Sequence, residues 1–218
     1  MRPVRSHPWD LTPRQAVQQQ LELASLVRAT DDWERCETVA GIDVGIRAGR
    51  ARAAIVVFAI DALCELEHQV VERPLTFPYV PGLLSFREAP VVLEALERLQ
   101  TTPDFLMLDG QGLAHPRRLG IACHLGVLLD CPSIGCAKSR LCGESSAPSA
   151  ERGAWTPLRD GETLIGAVVR TRTAVRPVYV SVGHRVSLPA AIDLVLRCGA
   201  GYRLPEPIRW AHRYASVL

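Results

Sequence analysis

The stretch TVAGIDVGI, residues 38–46, is an apolar, β-branched run with a single acid near its centre. That pattern predicts a buried strand. A short RAGR turn leads into ARAAIVVFAI (51–60), which reads as a second strand, and CELEHQVVERPL (64–75) alternates loosely as a third. Three strands joined by short turns predict an antiparallel meander. Asp43 sits inside the first strand with its side chain directed opposite to those of Ile42 and Val44. A buried carboxylate is costly unless something compensates its charge, so Asp43 is expected to face a cleft.

The remaining pattern extends outward from this meander. Thr12 and Pro13 start a helix expected over 12–28. A second helix is expected from about 89 to 100. DFLMLDG (104–110) is a short strand closed by Asp109, and residues 117–130 form a helix. CPSIGCA (131–137) returns as a strand through a strand–helix–strand crossover, so the pair is expected to be parallel. Residues 144–155 read as a loop, 163–171 and 177–183 as strands, 188–199 as a helix and 205–218 as a last short helix. The order predicts an α/β fold with a mixed central sheet flanked by helices, in one domain spanning 1–218.

Composition narrows the function classes. Of 218 residues, 48% are hydrophobic and 22% charged, as in ordinary globular proteins. No apolar run approaches the roughly 18 residues of a membrane helix, and MRPVRSHPWD lacks an apolar signal core. The expectation is a cytoplasmic protein with no membrane partner. The seven cysteines are odd in number and include no C-x-x-C pair, which argues against a disulfide framework or a zinc ribbon. Net charge is only +2, but Lys138 is the one lysine among 25 basic residues. A chain rich in arginine that keeps one lysine suggests a site wanting a compact ammonium.

Three acids stand out. Asp43 is mid-strand, Asp109 lies where a strand leaves the sheet, a usual place for active-site groups, and Glu88 follows a proline loop. Together they suggest a site for Mg²⁺ or Mn²⁺, hard cations that prefer oxygen ligands. Residues 111–143 carry Arg117, Arg118, Lys138 and Arg140 against Asp130, a charge of 4 − 1 = +3. A cation site rimmed by positive charge suits a phosphodiester substrate. Pro78 and Pro81 stiffen the loop that carries Tyr79. Its ring is either a wedge pushed between stacked bases or part of the core.

The segments GIDVG, FPYVPGLLSFRE, DGQGLAHPRRLGIACHLGV and GCAKSRLCG, in that order, resemble the endonuclease V family, and the resemblance runs from about 38 to 214. It implies a ribonuclease H-like fold. It also implies an enzyme that recognises inosine, deaminated adenine, in DNA and in some members RNA. Such enzymes cut the second phosphodiester bond on the 3′ side and leave 3′-hydroxyl and 5′-phosphate ends, with Mg²⁺ or Mn²⁺ required. By the same resemblance Asp43, Glu88 and Asp109 match the metal acids. His115 and Lys138 match residues near the cut phosphate, and His212 matches a histidine close to the metal. Tyr79 matches the wedge, and Gly82, Leu84, Gly110, Gly120 and Ile121 match segments lining the pocket for the flipped base. The protein is expected to act as a monomer. Two other readings stay open: an inosine-binding module without turnover, and a ribonuclease H-like nuclease for hybrids or junctions.

Overall fold

In the computed structural model, which describes residues 1–216, the glycines of GIDVG prove to be structural. Strand β1 (Thr38–Arg47) pairs antiparallel with β2 (Arg50–Ala59), and β2 with β3 (Cys64–Pro74). On its other side β1 runs parallel to β4 (Phe105–Leu108), and β4 parallel to β5 (Ser133–Ala137). The sheet continues through β8 (Val178–His184), β7 (Thr163–Val169) and β6 (Trp155–Asp160), all antiparallel, in the order β3-β2-β1-β4-β5-β8-β7-β6. The antiparallel meander with parallel additions is the mixed sheet of a ribonuclease H-like fold.

Helices cover both faces. α2 (Leu84–Glu97) and α3 (Ile121–Leu129) pack on the face bearing Ala40, Ile42, Leu106 and Leu108, and α1 (Pro13–Ala24) lies outside α3. α4 (Leu188–Arg197) and α5 (Glu206–Ser216) cover the face bearing Val39, Phe105 and Met107. Side chains alternate along a strand, so Gly41, Asp43 and Gly45 all face α5. A Cβ on Gly41 would lie 2.1 Å from the Pro207 carbonyl, and one on Gly45 2.6 Å from the Ala215 oxygen. The two glycines let the helix backbone rest on the strand, one to each side of Asp43.

Several boundaries differ from the sequence expectation. α2 begins at Leu84, not near 89, and holds Pro90 inside it. Its start has no side-chain cap; a tight turn with Gly82 at φ +78° launches it, and such a turn leaves no Ser or Asp signal to read. α1 stops at Ala24 and α3 starts at Ile121, because turns occupy the flanking residues. β6 was not expected: it is an edge strand with exposed residues and Pro157, which an edge position tolerates. The last helix runs from Glu206 to Ser216 and packs tightly on the sheet, and residues 217–218 of that expected element lie outside the described residues. Four of the seven cysteines are buried and all are free.

Replacing Gly41 by alanine should lower stability by about 1–3 kcal/mol, the usual cost of overpacking, measured by denaturant unfolding. It should also weaken divalent-cation binding, since α5 would be pushed off the strand. Unchanged stability would mean that α5 does not lean on this glycine.

Candidate active site

β1 continues beyond Ile42, its last residue paired with β4, and Asp43 is the first residue of that overhang. Asp109 follows the last residue of β4, and its N–H donates to the Ile42 carbonyl at 2.9 Å. The parallel register therefore sets the two acids side by side at the strand ends. From α5, His212 reaches across with Nδ1 2.6 Å from Asp43 Oδ2. Asp43 Oδ1 accepts the Val44 N–H at 2.9 Å. Lys138, just past β5, places Nζ 2.5 Å from Asp109 Oδ2 and 3.3 Å from His212 Nδ1. With a proton on Nδ1, His212 donates to Asp43, so its approach to the ammonium brings two donors together and is not a hydrogen bond.

Asp43, Asp109 and His212 each offer a donor atom, and these atoms lie within 4.8 Å of one another. Glu88 is outside that group, in the second turn of α2, and it is buried. Burial pushes its pKa up to about 8, and the Asp43 and Asp109 charges push the same way. Burial also raises Asp109, with Lys138 pulling it down. Carboxylate oxygens and an imidazole, with a buried acid that forms no ion pair among the described residues, fit a hard divalent ion.

A pocket of about 160 Å³ lies beside this cluster. Tyr79, Gly82, Leu84, Gly120 and Ile121 line it; Gly110 supports it, since a Cβ there would meet Ile121 Cγ2 at 2.7 Å. Pro81, Gln111 and Leu141 also line it. Gln111 and Leu141 lie within the quoted motifs, but nothing in residue type distinguishes them. Tyr79 is 71% exposed, which removes it from the core.

The structure places His115 in the pocket wall, away from the acids. Its Nε2–H donates to the Gly82 carbonyl at 3.0 Å and its Nδ1 accepts the Arg117 N–H at 3.1 Å. Burial, reinforced by the Arg117 charge, lowers its pKa to about 4, so the ring is neutral. The same carbonyl accepts from Gln20 Nε2 at 2.9 Å and Arg117 Nη2 at 2.7 Å, which fixes the loop behind Tyr79. The expected basic patch is therefore smaller than its charge count. Arg117 is engaged with Gly82 and Gln20, and Arg118 pairs with Asp160 at 2.6 Å. Charge spacing in a sequence does not reveal which cations are already bound internally.

A family model described as Endonuclease V matches residues 21–213. An endonuclease V of Roseiflexus castenholzii is 54% identical over 216 residues, covering 99% of this chain and 97% of that one. The crystal structure of the endonuclease V of Streptomyces avermitilis superposes with a TM-score of 0.90 at 39% identity, covering 95% of this chain and 92% of the other. The Ciona intestinalis endonuclease V, crystallised with a 24-mer DNA containing an inosine followed by a ribo-adenosine, superposes with a TM-score of 0.81 at 26% identity, covering 93% and 95%.

The raised pKa of Glu88 has a stability consequence. Between the ordinary carboxylate value of 4.5 and about 8 the folded state holds a proton that the unfolded state has lost. Stability of the cation-free protein should therefore fall as pH rises through that window, by an amount on the order of 3–5 kcal/mol. Glu88→Gln should flatten the slope in urea titrations run in chelator from pH 5 to pH 8. An equal slope in wild type and variant would place the proton elsewhere.

Proposed function

The chain belongs to the endonuclease V family, and from that premise we propose a metal-dependent endonuclease that recognises inosine in DNA and cuts the second phosphodiester bond 3′ to it. The products would carry 3′-hydroxyl and 5′-phosphate ends. The observation that carries this reading is the pairing, where the central strands β1 and β4 part, of an acidic cluster with a base-sized pocket guarded by an exposed aromatic ring. Asp43, Asp109 and Glu88 would hold the cation, Mg²⁺ or Mn²⁺, with His212 close beside Asp43 as a further donor. The ion, when bound, supplies a lowered pKa for an attacking water and offsets charge on the phosphate.

The chain's own groups do the rest. Tyr79 fills the gap left by the displaced base, and base flipping costs least for a weakly paired base such as inosine. The backbone of the 82–84 and 110–121 segments reads the hypoxanthine edge, where O6 accepts and N1–H donates. Adenine presents the reverse pattern and would leave buried groups unpaired, at about 1–3 kcal/mol each. Lys138, which neutralises Asp109 in this structure, would turn its ammonium to the phosphate or the attacking water. His115, neutral and held at both nitrogens, would keep the pocket loop in place beside the cut strand.

The same proposal includes cleavage of inosine-containing RNA, a single catalytic domain over 1–218, and a monomer. Support for one domain is the single sheet that runs through the fold. A cytoplasmic setting is supported by the seven free cysteines; no helix among the described residues is long and apolar enough to cross a membrane.

The test uses end-labelled single- and double-stranded DNA and single-stranded RNA, each with one inosine, in Mg²⁺, Mn²⁺ or EDTA. One cut, immediately 3′ of the nucleotide that follows inosine, is expected in metal and none in EDTA or with Asp43→Ala. Cutting in EDTA, or equal cutting of strands without inosine, would overturn the reading. Tyr79→Ala should weaken binding to inosine strands by about 1–3 kcal/mol, the worth of stacking one base on an aromatic ring. Cation affinity should be unaffected in the same variant.

A further inference from the structure

We propose that Arg87 binds the phosphate joining inosine to its 3′ neighbour and so sets which phosphodiester reaches the acidic cluster, an inference that rests on the function proposed above. Leu84, Arg87 and Glu88 stand at i, i+3 and i+4 of α2 and share one face of it. Leu84 lines the base pocket, and Glu88 is close enough to Asp43 and Asp109 to feel their charges. Arg87 lies between them: its guanidinium carbon is 5.9 Å from the centre of the Tyr79 ring, and its charge acts on Glu88.

Among the described residues this guanidinium makes no hydrogen bond or ion pair, and its Nε is fully buried without an acceptor. Only two buried side-chain polar atoms among the described residues are orphaned in this way. The other is Gln111 Oε1, on the pocket wall. Gln111 lines the pocket, and Arg87 stands against Tyr79, which lines it too. Buried polar groups are nearly always satisfied, so paired orphans beside one cavity point to a ligand that supplies the partners. The neighbouring arginines offer a contrast, since Arg117 and Arg118 are already consumed by protein acceptors.

A phosphate suits the vacant donors, because the planar guanidinium fork matches two phosphate oxygens at once. Chain connectivity then assigns which phosphate. With the base in the pocket and the second 3′ phosphodiester at the acids, the first 3′ phosphodiester must cross the interval between them. That interval is where Arg87 stands. Holding it there would fix the offset between lesion and cut, which base recognition alone does not.

The experiment measures affinity by fluorescence anisotropy in EDTA, where cutting is absent, for inosine strands with one neutral methylphosphonate linkage at a defined position. Wild type should lose about tenfold to a hundredfold in affinity, the worth of a charged hydrogen bond, when the first linkage 3′ to inosine is neutral. A neutral linkage several nucleotides away should cost far less. Arg87→Gln should bind the unmodified strand about as weakly as wild type binds the modified one, and should lose nothing further from the modification. In Mn²⁺ it should also cut at neighbouring bonds. Equal sensitivity of wild type at near and distant linkages would overturn the proposal without recourse to any variant. So would losses that add in the variant, which would mean that Arg87 acts only through Tyr79 or the fold, and so would an unchanged cut position in Arg87→Gln. If wild type binds inosine strands no better than adenine strands, the functional reading itself fails, a result distinct from additive losses.

Discussion

The structure depends on one close approach: the backbone of α5 lies directly on β1. Gly41 and Gly45 make it possible, since a Cβ at either position would collide with helix backbone at Pro207 or Ala215. Between them Asp43 is the one side chain of the three that projects towards the helix, and His212 meets it at 2.6 Å. The motif is a spacing device. It brings a residue near the end of the chain against the first strand and holds it there by packing that leaves little slack, as close-packed interiors do. The parallel register of β1 and β4 then fixes Asp109 beside Asp43 without any further side-chain contact.

α2 joins the two halves of the site. Its first turn supplies Leu84 to the pocket and its second supplies Glu88 to the acids. Because a helix is stiff, the spacing of Leu84 in the pocket from Glu88 beside the acids is set by a single turn of one element. The loop before it is just as constrained: the Gly82 carbonyl takes donors from Gln20, His115 and Arg117, which come from α1 and from the segment before α3. Tyr79 can thus be 71% exposed and still be carried on a rigid support. An exposed ring on a mobile loop would spend binding energy on its own ordering.

The electrostatics show why the site is not a stability feature. Asp43, Glu88 and Asp109 crowd together, with Lys138 as the cation that offsets Asp109. Glu88 responds by holding its proton, which is the cheaper state for a buried carboxyl beside like charges. Natural proteins tolerate such local conflict where a ligand resolves it. The arginines near the pocket differ in the same way: Arg117 and Arg118 are held by protein acceptors, while Arg87 makes no hydrogen bond or ion pair among the described residues.

Periodicity located the three-strand meander, the β4–α3–β5 crossover and α4, because each buries an alternating or helical apolar pattern. The three acids, the lone lysine and the proline loop were also legible, since each is a residue type out of place in its local pattern. The start of α2 and strand β6 were not, because a glycine turn and an exposed edge carry little hydrophobic signal. Nor could sequence decide whether Tyr79 lies in the core, where His115 points, or which arginines are already paired. Those depend on contacts between segments far apart in the chain, such as Gln20 with Gly82 and Asp43 with His212. Local chemistry is written residue by residue, so the sequence determined the strands with a buried apolar pattern and the reactive groups. Which groups meet, and which remain unpaired, is settled only when the sheet register and the α5 contact close the fold.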